Sequence, residues 1–302
     1  VWKGEQMMNY NEFKEVLRNE VQKYFETADV QLTTKRKLNS VILDGLTITP
    51  KCAEMTCGGV RTTPVVYLRE FYERYQSGVR MERIVFTIAR ILIAESAEAP
   101  VINEVLVDWK TAKAKIHLQL IKESWNYDML QELPHKQYLD FAVIFVMELQ
   151  STPEEKQSTN VTYELQKMWG VSIEDLWNAG MENLQKEGVA ILSIEEITHG
   201  LLPEDGLGIY AMTTENMVRG SVSVLSEEVL KTFSEEKKAD YYLLPRSIYE
   251  WILIEKTDDL DPVYLRLMVI DTNSDPDKVK PEELLSDQVY LYERKTGKVR
   301  IA

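Results

Sequence analysis

The sequence predicts an α+β protein, helix-rich in its N-terminal half, with a mixed or antiparallel sheet carrying helices in its C-terminal half. Three observations predict it. Apolar residues recur at helical spacing through most of the chain up to residue 122, whereas β-rich runs dominate the second half with helices interleaved among them. Hydrophobic residues make up 44% and charged residues 28%, the balance of a globular core and not of a disordered chain. Neither an internal repeat of 20–50 residues nor a low-complexity tract is present, which argues against solenoids and linkers.

Taken in order, Asn9 or Asn11 caps a helix running to about Phe25, with Phe13, Val16, Leu17, Val21, Tyr24 and Phe25 as its stripe. Val41–Thr49 is β-rich and reads as a strand, with Asp44-Gly45 able to turn inside it. The loop Cys52–Thr63 follows. Pro64 opens a helix at its first turn, its apolar face Tyr67, Leu68, Phe71, Tyr72 and Tyr75 and its end Gly78. Ile84, Ile88, Ile91 and Leu92 mark a second helix, broken at Ala94–Pro100. Val101–Lys122 reads as mostly helical, and Tyr138–Leu149 as one buried strand.

Ser151–Asn160 is polar and is the expected boundary between regions 8–150 and 151–302, unless the two make one continuous domain. Tyr163–Lys186 is helical with an interruption at Gly170. Ala190–Ile197, Leu207–Thr213 and Ser221–Leu225 read as strands, and Ser226 caps a helix. Ala239–Glu255 is the densest apolar run of the second half and reads as a core strand, a turn forced at Pro245 and a second buried element. Asp259–Ile270 is a helix, Asn273–Lys280 a loop, Pro281 the start of a helical turn, and Gln288–Arg294 with Lys298–Ile301 a terminal hairpin.

Val1–Gln6 has no structural role in this scheme. Lys3-Gly4-Glu5-Gln6 fits purine-rich codons resembling a bacterial ribosome-binding site, so residues 1–7 are expected to be a non-native leader with the natural start at Met7 or Met8. A native species beginning at Val1, by intact mass, would overturn this. The N-terminus has no apolar core of a signal peptide, no run of 18 apolar residues is present, and there are two cysteines, Cys52 and Cys57; a cytoplasmic, non-membrane protein is expected.

Several chemistries find no support in the sequence. The net charge of −14 opposes nucleic acid and anionic lipid. Cys52 and Cys57 lack the further ligands a structural zinc needs, and His117, His135 and His199 are scattered, so neither metal nor cofactor is expected. Gly206-Leu207-Gly208 lacks the third glycine of a dinucleotide loop. Asp271–Asp275 has a calcium-loop rhythm but carries Pro276 where the loop needs Gly. Val161–Asn183 imitates a helix-turn-helix, yet its second helix, Ile173–Asn183, bears Glu174, Asp175 and Glu182 and no Lys or Arg; it reads as a packed helical pair joined at Ser172. Arg246, Ser247 and Glu250 project from the break at Pro245. They are the candidate catalytic residues of a hydrolase-like site, although no base stands beside Ser247 and Arg246 and Glu250 are spaced to pair with each other.

Tyr241–Ile254 resembles the tyrosine-isoleucine-leucine-proline-serine-serine motif and following apolar run of a domain-of-unknown-function family common in gut-dwelling low-GC Gram-positive bacteria. Val279–Tyr290, Gly220–Leu225, Val161–Asn183 and an N-terminal block ending PVVYLREFYERYQSG extend the resemblance over nearly the whole chain from Met8. Where members of that family carry Ser-Ser-Ile-His-Glu, this chain has Arg246-Ser247-Ile248-Tyr249-Glu250. The resemblance implies a bacterial source and no particular activity. The expected function is therefore non-catalytic binding of a partner protein or small molecule, with a hydrolase at Arg246, Ser247 and Glu250 as the alternative and DNA binding through Val161–Asn183 ranked last.

Overall fold

A computed structural model describes residues 7–51, 64–98, 108–151, 156–197 and 208–302. Cys52, Cys57, His199, Gly206 and the leader up to residue 6 lie outside these. The described residues form two compact units, one from residues 7–37 and 41–98, the other from residues 38–40 and 108–302.

In the first unit, helix α1 (Tyr10–Gln22) starts at Asn9, whose side chain accepts from the Glu12 N–H while the Glu12 carboxylate accepts from the Asn9 N–H. Phe13, Leu17 and Val21 are fully buried. They face an antiparallel sheet of β1 (Ala28–Arg36), β2 (Ile42–Pro50) and β3 (Val65–Tyr67) in that order. Asp44-Gly45 makes no turn. Gly45 lies within β2, opposite Thr33 and Tyr67, and is glycine because a Cβ there would run into Val65. Nor does Pro64 open a helix. The β-branched pair Val65-Val66 extends instead, and helix α2 (Arg69–Gln76) begins only after Leu68. Helix α3 (Met81–Glu98) stays helical through the expected break at Ala94 and buries Ile84, Val85, Ile88 and Leu92 in the same core.

The second unit begins with the short helix α4 (Trp109–Ala112) and a 3-10 turn, then β4 (Ile116–Lys122). This strand was expected to be helical. Ile116 and Leu120, four apart, fit either period; buried Leu118 between them decides for the strand. After helix α5 (Tyr127–Leu130), the strand expected over Tyr138–Leu149 is β6 (Phe141–Ser151), which starts three residues later because the chain reverses at Leu139, with φ 54°, after the short strand β5 (His135–Tyr138). Strand β7 (Lys156–Asn160) also pairs with β6, so β6 has β4 along one edge and β5 then β7 along the other.

Helix α6 (Tyr163–Trp169) stops at left-handed Gly170, and helix α7 (Ile173–Glu187) restarts from Ser172, as the sequence predicts. Strand β8 (Val189–Ser193) ends at Ser193, which caps a single helical turn α8 (Ile194–Ile197) where strand was expected. Strand β9 (Ile209–Thr214) is followed by Gly220–Leu225. This segment is a wholly buried 3-10 helix, not a strand; its alternating Ser and Val imitate the two-residue period. Helix α9 (Glu227–Lys237) leads to the hairpin of β10 (Tyr241–Ser247) and β11 (Glu250–Glu255), then helix α10 (Pro262–Asn273) and the terminal hairpin β12 (Tyr290–Glu293) and β13 (Lys298–Ile301).

Pro245 forces no turn. It sits inside β10 opposite Trp251, beyond the stretch Tyr241–Leu243 that pairs with β12, where the missing N–H interrupts no bond to that neighbour. The sheet is antiparallel throughout, in the order β13-β12-β10-β11-β9-β8. Its centre, β10, buries Tyr241 to Leu244 without a gap, so both faces are covered. Tyr242, Leu244, Val289 and Leu291 pack on α10 through Leu265 and Val269. On the other face Tyr241 meets Phe233 of α9, and Trp251 and Tyr290 meet Phe141 of β6, which joins the two sheets of this unit.

Candidate functional site

The sequence-predicted residues do not assemble into a catalytic set. Arg246 donates to the Glu250 carboxylate at 2.7 Å across the hairpin end. Ser247 is buried, and its Oγ accepts from the Tyr249 N–H. Tyr249 leans on Glu283, to which its hydroxyl donates at 3.4 Å; burial first, and then that carboxylate, pushes the phenol up from its ordinary range. Asn273 and Asp287 bond each other at 2.7 Å, and among the described residues no hydrogen bond or ion pair links them to Arg246, Ser247 or Glu250.

Helix α10 presents a different kind of surface. Asp261 caps it by accepting from the Val263 N–H at 2.8 Å, and Pro262 occupies the first turn, where its missing N–H costs nothing. Asn273 fixes the far end to the Ser286 carbonyl and the Asp287 carboxylate. Between these anchors seven of twelve residues are large and apolar, more than one core-facing stripe uses. Leu265 and Val269, four apart, fill that stripe. The other five, Val263, Tyr264, Leu267, Met268 and Ile270, are between 39% and 64% exposed. They form two adjacent rows, Val263-Leu267-Ile270 and Tyr264-Met268, and so a continuous apolar face.

The rim of this face is acidic at both ends. Asp258, Asp259 and Asp261 precede the helix, with Lys256 two residues before the first of them. Asp271, Asp275 and Asp277 follow, and Lys278 lies 3.9 Å from Asp271 and 3.6 Å from Asp275. The positive side chain on the helix itself, Arg266, turns back to donate to the Asp287 carbonyl. The sequence signalled this face only through the excess of apolar residues in one helix; position in the sheet was needed to tell which of them are spent on the core.

Two polar clusters lie inside the same unit. At the β5–β6 turn Asp140 pairs with Lys122 and accepts from the Tyr290 hydroxyl at 2.7 Å, and that hydroxyl meets the Ser286 Oγ at 2.9 Å. Burial raises the Tyr290 phenol far above its ordinary range. Each of these groups is satisfied by the next and Ser286 is fully buried, so the cluster ties the sheets together. The second cluster surrounds a cavity with room for about one water. His117 lies 3.6 Å from Glu187 and 3.9 Å from Glu148, and Arg219, itself in the left-handed region, lies 4.0 Å from Glu148. Burial lowers the affinity of the Arg219 guanidinium for its proton, opposed by the two carboxylates.

The helix-turn-helix look-alike is a packed pair. Leu176, Ala179, Gly180 and Leu184 of α7 face inward, and Gly180 sits so close to Leu118 of β4 that a Cβ would collide with it. Trp169 is buried and Met168 exposed. The outer face of α7 carries Glu174, Asp175 and Glu182. Neither a group of three or more metal-ligating side chains nor a helix long and apolar enough to cross a membrane occurs among the described residues.

No curated protein and no solved structure matches the chain. A family model described as a family of unknown function, DUF5688, matches residues 10–294. That span takes in both compact units, the β10–β11 hairpin and α10: the chain belongs to the DUF5688 family.

Proposed function

We propose that this is a cytoplasmic, non-catalytic binding protein that docks a basic-rimmed amphipathic helix of another protein on the outer face of α10. The observation that supports it is the five-residue apolar face held between two fixed helix ends. A contiguous apolar surface of this kind is costly to leave in water and marks interaction sites. A partner helix laying its own apolar stripe along the two rows would bury it.

Charge selects the partner. In a two-fold pair of these chains, antiparallel α10 helices would set Asp258, Asp259 and Asp261 of one against Asp271, Asp275 and Asp277 of the other, like charge against like. A helix with Lys or Arg flanking its apolar stripe meets both acidic ends favourably. The same rim opposes an anionic membrane, and the net charge of −14 opposes nucleic acid. Catalysis at Arg246, Ser247 and Glu250 is the weaker reading, since Arg246 and Glu250 occupy each other and Ser247 faces no base.

The test is a fluorescence-anisotropy titration of the full chain with two labelled helical peptides sharing one leucine stripe, one rimmed with Lys and the other with Glu. Sedimentation of the chain alone and flotation with phosphatidylserine vesicles complete it. The Lys-rimmed peptide is expected to bind at least tenfold tighter, with the advantage shrinking as salt rises, and the chain to sediment as a monomer without floating. Equal binding of the two peptides, binding of neither, a dimer, or vesicle flotation would each overturn the reading.

A further inference from the structure

The first unit holds a groove of about 240 Å³ where α2 meets α3, unrelated to α10. Phe71 of α2, Val79 of the connection, and Ile84 and Thr87 of α3 line it together with Arg74 and Arg83. Gly78, at φ 95°, turns the chain between the helices, and the Val79 N–H closes back on the Arg74 carbonyl, so the connection is a fixed wall. The floor is apolar. Ile84 is 2% exposed and anchored in the core, while the Phe71 ring carries the Arg74 guanidinium 5.3 Å from its centre.

The charged side chains that line this floor are both arginines. Arg74 and Arg83 are exposed at the groove, with Arg80 between them in sequence, and among the described residues no carboxylate pairs with any of the three.

We propose that this groove binds a small apolar carboxylate. Its hydrocarbon part lies on Phe71, Val79 and Ile84, and its carboxylate is held by Arg83 with help from Arg74, since a guanidinium matches a carboxylate with two parallel donors. The volume falls just under the ~300–1,000 Å³ of drug-sized sites, so a molecule of octanoate size is the upper end of what it encloses. Neutral and cationic molecules with the same tail gain the apolar contact and lose the charge.

Calorimetric titration of the full chain with octanoate, octan-1-ol and octylamine tests this, on the wild type and on Arg83→Gln, Thr87→Trp and Leu267→Asp. Octanoate is expected to bind at one saturable site, octan-1-ol at least tenfold more weakly and octylamine not at all. Arg83→Gln, at an exposed position, weakens octanoate about tenfold, Thr87→Trp fills the groove and abolishes binding, and Leu267→Asp on α10 leaves it unchanged. The absence of a saturable site, octylamine binding as well as octanoate, or octanoate binding insensitive to Arg83→Gln would overturn the proposal. Loss of octanoate binding in Leu267→Asp alone would move the site to α10 and overturn it as well.

Discussion

Single residues show where this fold tolerates no change. Gly220 opens the buried 3-10 helix beneath the sheet, and a Cβ there would collide with Thr213 and with the Tyr249 carbonyl. Gly220→Ala is expected to cost about 3 kcal/mol or more in chemical denaturation, because the obstruction includes backbone that cannot step aside. Tyr290→Phe keeps the ring against Phe141 and Trp251 but removes one hydrogen bond each from Asp140, which keeps Lys122, and from Ser286, which keeps the Gln288 N–H; removing one partner from a buried network costs roughly 1–3 kcal/mol. Asp175 gives a pH signature. The Ser172 side chain and N–H hold its carboxylate below the ordinary range, and Lys186 and Lys113 do the same for Glu182. With folded pKa values depressed, the unfolded chain binds more protons in acid, so this stabilisation is present above the unfolded pKa and is lost as pH falls through the folded one. Melting temperature is therefore expected to drop between about pH 5 and pH 3, and Asp175→Asn to flatten part of that drop without reversing its sign.

At the scale of elements, α10 separates residues that build the fold from residues that do not. Leu265→Ala removes a buried contact with the sheet and is expected to cost about 2–5 kcal/mol. Leu267→Ala, two residues away and exposed, should stay within about 0.5 kcal/mol; equal losses at the two positions would mean that the outer face is structural. How far such elements were legible depends on how local their cause is. Helix starts at Asn9, Ser172 and Asp261 and the stop at Gly170 are set by residues within one turn, and the sequence predicts the helices they bound. The errors arise where pairing or burial decides. Ile116–Lys122 satisfies both periods until β6 lies beside it, Gly220–Leu225 alternates like a strand but coils because it is buried on all sides, and Asp44-Gly45 carries a turn's residues inside a strand that β3 needs close. The candidate site was legible only in part. Arg246 and Glu250 pair as their spacing suggests, whereas the exposed rows of α10 and the groove at Arg74 and Arg83 depend on which side of each helix the core takes.

At the scale of the whole molecule, several polar groups among the described residues are spent on architecture. The Asp140 cluster closes on itself, the Arg246–Glu250 pair closes a hairpin, and α7 turns acidic residues outward. The outer face of α10, between two acidic ends, is apolar and exposed. On the proposed reading, a chain carrying −14 would repel copies of itself and attract a basic-rimmed partner at a rate that falls with salt. The most direct measurement is the affinity of the Lys-rimmed helical peptide for the wild type against Leu267→Asp, with matched melting curves to show that both are folded. Placing a charge in the middle of the apolar rows forfeits the burial of one leucine, so binding is predicted to weaken about 10- to 100-fold with an unchanged melting temperature. An affinity that Leu267→Asp leaves intact would contradict the claim that α10 is where this protein meets its partner.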